Sequence, residues 1–70
     1  MKYAIVIERA GSNYSAYAPD LPGCAATGAS IDEIKARMIE AIAMHLEGMR
    51  DDGVVPPAPT VVCDYVAVPA

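Results

Sequence analysis

The sequence predicts an α+β domain of the β-β-β-α-β kind: a four-stranded mixed sheet, order 3-2-1-4, with one helix packed on one face. Three observations predict it. Short runs rich in β-branched and aromatic residues, separated by turn residues, occupy the first half. A capped, helix-periodic stretch fills the middle. A further β-rich run follows a proline-rich connector.

The first strand is expected over Lys2–Arg9, where Tyr3, Ile5 and Ile7 alternate with Ala4, Val6 and Glu8. Ala10-Gly11-Ser12-Asn13 is a turn sequence: Gly accepts positive φ, and Ser and Asn bond locally to backbone. Tyr14–Ala18 is the second strand, and so short a connection makes the pair an antiparallel hairpin. Pro19-Asp20-Leu21-Pro22-Gly23 breaks the pattern, because its prolines lack N–H donors and Gly23 permits a reversal. Cys24–Thr27 is a third, short strand, ended by Gly28-Ala29.

Ser30-Ile31-Asp32-Glu33 reads as a capping box. The Ser30 hydroxyl accepts the Glu33 N–H, and the acidic residues sit at the positive end of the helix dipole. Ile31, Ile34, Met38, Ile42, His45, Leu46 and Met49 then recur at helical spacing beside Ala41, with Asp32, Ala36, Glu40, Glu47 and Arg50 opposite. The helix is expected over 31–50, with Gly53 as its αL stop. Val54–Pro59 is a stiff connector, and Thr60–Val68 the last strand. A right-handed crossover would set that strand beside the first. A single helix covers one face of such a sheet. The other face is expected to stay apolar and uncovered, which predicts a homo-oligomer, dimer or higher, or a bound partner.

Seventy residues allow one domain, here residues 1–70, and a domain of this size buries little core. The formal net charge is −4, and the five Lys and Arg residues are scattered, so direct nucleic-acid binding is not expected. A basic protein partner suits this balance, though solubility alone accounts for it equally well. The five uncharged residues between Lys2 and Glu8 are too few for a secretory core or a membrane span, so the expectation is a cytoplasmic protein without membrane association. Cys24 and Cys63 lack metal-ligand spacing, and no metal or other cofactor is expected. A cytoplasmic setting implies reduced thiols, but sequence leaves their redox state open.

The run Tyr17–Cys24, Gly28 ahead of the helix, Glu40–Gly48 within it, and Gly53 followed by Pro57-Ala58-Pro59 together resemble the HicB-type antitoxins. The most specific piece is Pro19-Asp20-Leu21-Pro22-Gly23-Cys24, and the resemblance covers nearly the whole chain. It implies a partial ribonuclease-H-like fold without enzymatic activity. It also implies a HicA-type partner, a small basic toxin that cleaves mRNA and that the antitoxin blocks. Many relatives carry a C-terminal DNA-binding domain and repress their own operon. This sequence runs to Ala70 directly after the expected last strand, so that domain is read as lacking and repression is left open. Ala29, Ile34 and Pro56 depart from the family pattern, as packing variations outside the loop motif.

The residues expected to contact a partner are Tyr14, Tyr17, Asp20, Leu21, Pro22, Met44 and Tyr65. Loops carry binding residues disproportionately, and Tyr and Met are common at interfaces. Each also has a structural reading, as turn chemistry for the loop residues and core edge for the tyrosines. No catalytic residue is expected. Cys24 with His45 suggests a thiol enzyme, and Asp20, Asp64, Glu8 and Glu40 a metal-dependent nuclease, but neither set is grouped by spacing. The leading expectation is an antitoxin that sequesters a toxin. The alternative is an orphan oligomeric scaffold or small-ligand-binding domain without a toxin.

Overall fold

A computed structural model describes residues 1–69 of the chain. Three strands precede one helix: β1 (Val6–Ala10), β2 (Asn13–Tyr17), β3 (Ala25–Gly28) and α1 (Ile31–Asp51). The sheet is an antiparallel meander in the order β1-β2-β3. Register is set by pairs such as Ile7 opposite Ala16 and Ala16 opposite Ala26. Gly11, at φ +63°, supplies the hairpin reversal.

Because side chains alternate across a strand, Ile7, Ala16 and Ala26 share one face. That face meets α1. Ala16, Ala18, Leu21, Cys24, Ile34 and Met38 form the buried core, and Tyr3, Ile5, Ile7, Tyr14, Ala41, Ile42, Leu46 and Met49 pack around it. The helix lies over β3 and β2. Gly28 allows the close approach, since a Cβ there would stand 3.1 Å from both the Cβ and the backbone N of Ile34. The other face of the sheet carries a rung of Val6, Tyr17 and Ala25 and a rung of Glu8, Ser15 and Thr27. It is therefore half polar, not the continuous apolar face the sequence suggested.

The helix ends follow local chemistry. Ser30 is the N-cap, with extended backbone, and its Oγ accepts the Glu33 N–H at 3.1 Å. At the other end the Gly53 N–H donates to Arg50 O at 3.0 Å and the Val54 N–H to Met49 O at 2.8 Å. With Gly53 at φ +73°, this is a Schellman stop.

The expected fourth strand does not form. Thr60–Val68 pairs with no strand, so the sheet is three-stranded and antiparallel, not four-stranded and mixed in the order 3-2-1-4. Its β-rich composition was real, but a strand also needs a partner edge to hydrogen-bond. Pro59 donates nothing, and the amides of Thr60 and Val61 are taken by a side chain instead. Beyond them the Cys63 thiol still reaches the Ile5 carbonyl at 3.9 Å, while Val62, Tyr65, Val66 and Val68 are exposed. The first strand also starts later than its apolar pattern implied, at Val6 instead of Lys2, because the residues before Val6 have no laddered neighbour.

Candidate partner-binding surface

The loop between β2 and β3 is two successive turns. The Leu21 N–H donates to Ala18 O and the Cys24 N–H to Leu21 O, both at 3.0 Å, and the Ala18 N–H closes the loop on Cys24 O at 3.0 Å. Pro19 and Pro22 each occupy the second position of a turn, where their fixed φ fits and no N–H is needed. Gly23 follows Pro22 at φ +84°, which makes the second turn type II. This geometry sorts the loop side chains. Leu21 is 1 % exposed and plugs the core, while Pro22 and Gly23 stand outward at the tip.

Asp20 points neither to a neighbouring amide nor into open solvent. Its Oδ2 accepts the N–H groups of Thr60 (3.0 Å) and Val61 (3.1 Å), and its Oδ1 accepts the Thr60 hydroxyl (2.7 Å). The Thr60 hydroxyl, then the Val61 amide, hold the carboxyl below its ordinary range, with a small opposing effect of desolvation. The loop thus anchors the segment that follows the helix. A second strut helps: the Tyr3 hydroxyl donates to the Pro57 carbonyl at 2.6 Å.

Beside the loop tip an open depression of about 360 Å³ is lined by Gly23, Cys24, Ala25, Ala41, Met44 and His45. Met44 is 72 % exposed, so the helix presents a flexible apolar side chain next to the outward turn. Cys24 is buried, and burial pushes its thiol up, away from the thiolate a nucleophile needs. Among the described residues no three His, Cys, Asp or Glu side chains group as metal ligands.

Of the residues expected to meet a partner, Met44 lines this depression, and Pro22 is exposed next in sequence to Gly23, which lines it too. Tyr17 is half exposed on the open face of the sheet, opposite Val6 and Ala25. Tyr14 faces the helix side, with the Arg9 guanidinium 5.7 Å from its ring centroid. Asp20 is occupied within the chain and Leu21 is enclosed. Tyr65, almost wholly exposed, is far along the projecting segment.

Sequence reasoning missed a second feature. Met1, Lys2, Tyr3, Ile39, Ile42, Ala43 and Leu46 line an apolar groove of about 430 Å³ between the start of the chain and the helix. Its signal was legible, since Ile39 is a large apolar residue off the core stripe, and it is 71 % exposed. No helix among the described residues is long and apolar enough to cross a membrane.

The loop and helix so built match the family model described as "HicB_like antitoxin of bacterial toxin-antitoxin system" over residues 3–70. The chain belongs to the HicB-like antitoxin family. Two relatives place this HicB-like chain further. It is 35 % identical over 69 residues, 99 % of its own length, to a protein of Haemophilus phage HP1 named "Uncharacterized 14.9 kDa protein in rep-hol intergenic region". It is 46 % identical over 48 residues, 67 % of its length and 70 % of the relative's, to a "UPF0150 protein" of Archaeoglobus fulgidus. The HicB-like chain spans about half the length of the phage relative, 52 %. No solved structure matches it significantly.

Proposed function

We propose that this chain is the neutralising half of a toxin–antitoxin pair and that its partner is a HicA-type mRNA-cleaving toxin. The observation that carries the reading is the HicB-like antitoxin match across residues 3–70. Three features support it. The net charge of −4 complements a basic ribonuclease. The tip of the loop, with Pro22 outward and Met44 beside it, offers a small apolar anchor on a rigid double turn. The buried Cys24 with its raised thiol argues against a thiol enzyme. In this reading the chain acts without catalysis, in the cytoplasm, as a homo-oligomer, and binds protein instead of RNA.

Blocking the toxin requires only that the antitoxin occupy its active surface. Release then follows from degradation of the antitoxin, and a small domain of marginal stability opens often enough for proteases to find it. The test is co-expression with the adjacent small basic gene product. The expected result is co-purification and restored growth, with Met44→Asp weakening both. If the neighbour neither co-purifies nor loses toxicity, the proposal is wrong. Incubation of the pure chain with RNA and Mg²⁺ is expected to leave the RNA intact.

A further inference from the structure

β3 is an edge strand, since the sheet ends on it. In an antiparallel ladder the residues alternate, one turning both its N–H and its carbonyl toward the neighbour and the next turning both away. The phase of that alternation is fixed from two sides. The Ala18 N–H donates to Cys24 O at 3.0 Å, so Ala18 and Cys24 are a bonded pair, and the bonded pairs that follow in the register are Ala16–Ala26 and Tyr14–Gly28. Ala25 and Thr27 therefore turn their main-chain groups outward. Independently, the Arg37 guanidinium donates to the Thr27 carbonyl at 2.9 Å, as an outward carbonyl allows. Among the described residues no other group takes the outward positions, which leaves the Ala25 N–H, the Ala25 carbonyl and the Thr27 N–H unpaired.

The two ends of this edge differ. At Thr27 it is closed by a charge: Arg37, paired with Glu33 at 2.9 Å, caps the carbonyl, and a charged side chain on an edge discourages pairing. At Ala25 nothing closes it. Ala25 also lines the open depression of about 360 Å³, together with Ala41, Met44 and His45 of α1. A strand laid on Ala25 thus finds main-chain partners and, beside them, an apolar recess for a side chain. The opposite edge of the sheet is less open at its start. There the Tyr3 hydroxyl meets the Pro57 carbonyl and the Cys63 thiol reaches the Ile5 carbonyl at 3.9 Å, so the chain's own C-terminal segment lies along the lead-in to β1.

Charge indicates the kind of strand. Arg37, Glu40, Met44 and Glu47 follow one another at spacings of three and four, which puts them on one stripe of the helix. Arg37 reaches Thr27 and Met44 borders the depression with Ala25, so this stripe runs beside the β3 edge. Glu40 and Glu47 are exposed, and among the described residues neither has an ion-pair partner.

We propose that the outer edge of β3 is where a basic protein partner adds a strand. The partner's main chain pairs with Ala25, one of its apolar side chains enters the depression beside Met44, and its Lys or Arg residues meet Glu40 and Glu47. Strand addition of this kind takes affinity from the main chain and specificity from the side chains. For the partner's identity this rests on the antitoxin reading, and to that reading it adds the edge and the mode of contact.

Amide exchange, read residue by residue on the full chain alone and in complex with the adjacent small basic gene product, tests it. In the free chain the Ala25 and Thr27 amides should exchange as open groups while Ala26, bonded to β2, is protected. In the complex the Ala25 amide should become protected. Ala25→Pro removes the donor and sets a ring against the incoming strand, and because that N–H faces away from β2 the ladder keeps its bonds. Ala25→Pro should weaken the complex about tenfold or more, with the circular dichroism of the free chain unchanged. Should that variant fail to fold, exchange on the native chain still decides. Reversing Glu40→Lys and Glu47→Lys together should weaken the complex and flatten its dependence on salt. A complex in which the Ala25 amide stays open overturns the docking and leaves the antitoxin reading standing, as does one that binds the charge-reversed chain as tightly as the native chain. A native chain that binds no such partner overturns both. Protection of Ala25 in the chain alone, growing with its concentration, would assign the edge to a second copy and overturns the docking too.

Discussion

Asp20 and Thr60 stand forty residues apart in the chain and share two hydrogen bonds, from the Thr60 amide to Oδ2 at 3.0 Å and from its hydroxyl to Oδ1 at 2.7 Å. With the Val61 amide added, one carboxylate holds the start of the C-terminal segment against the β2–β3 loop. Asp20→Ala removes all three bonds. Amide exchange at Thr60 and Val61 should then approach that of exposed chain, while the amides of α1 keep their protection.

The same contact has a definite pH dependence. The Asp20 carboxyl titrates below its ordinary value of 3.8, because the hydroxyl of Thr60 and then the amides favour its charged form. The folded chain therefore binds fewer protons than the unfolded chain in that range, and stability rises with pH there. The contribution is fully present above the ordinary carboxylate range and is lost as pH falls through it. Protection at Thr60 and Val61, taken relative to intrinsic exchange at the same pH, should be flat near neutrality and fall in acid below about pH 4, a step that Asp20→Ala abolishes.

Ile34 and Met38 are 0 and 1 % exposed and carry the contact between helix and sheet. Truncating Ile34 to Ala should cost about 2–5 kcal/mol. A domain of this length has roughly 3–10 kcal/mol in all. Urea titration followed by circular dichroism should show a midpoint lowered severely or a chain already unfolded in buffer.

Gly28 and Gly23 are required for different reasons. A methyl at Gly28 would press on the Ile34 backbone at 3.1 Å, and Gly28→Ala should cost about 1–3 kcal/mol through displacement of α1. Gly23 has open space around it but φ +84°, so Gly23→Ala should cost about 1–2 kcal/mol by backbone strain alone. Thermal melts of both should fall, and only Gly28→Ala should disturb the side-chain signals of Ile34.

Ser30→Ala removes the acceptor of the Glu33 amide and should cost about 1 kcal/mol. Ser30→Asp should restore most of it, since a carboxylate caps the same amide and suits the helix dipole. A Ser30→Ala chain as stable as the native one in urea would show that the cap carries no weight here.

Everything governed by neighbours a few residues away was legible in the residues themselves. The capping box at Ser30, the stop at Gly53, the apolar stripe through Ile34 and Met38, the Gly11 hairpin and the Pro-Gly turn each rest on local backbone preferences, and each stands where its residues predict. The family signature in the loop was legible for the same reason: turn geometry fixes its residue types. Tertiary structure alone decided the fate of Thr60–Val68, whose composition fits a strand but whose first amides are taken by Asp20 from a distant loop. It also decided which loop side chains stay uncovered, enclosing Leu21 and engaging Asp20 while leaving Pro22 exposed. Propensity is written in the residue, but a strand exists only where another edge accepts its hydrogen bonds, and a side chain is available only where folding leaves it uncovered.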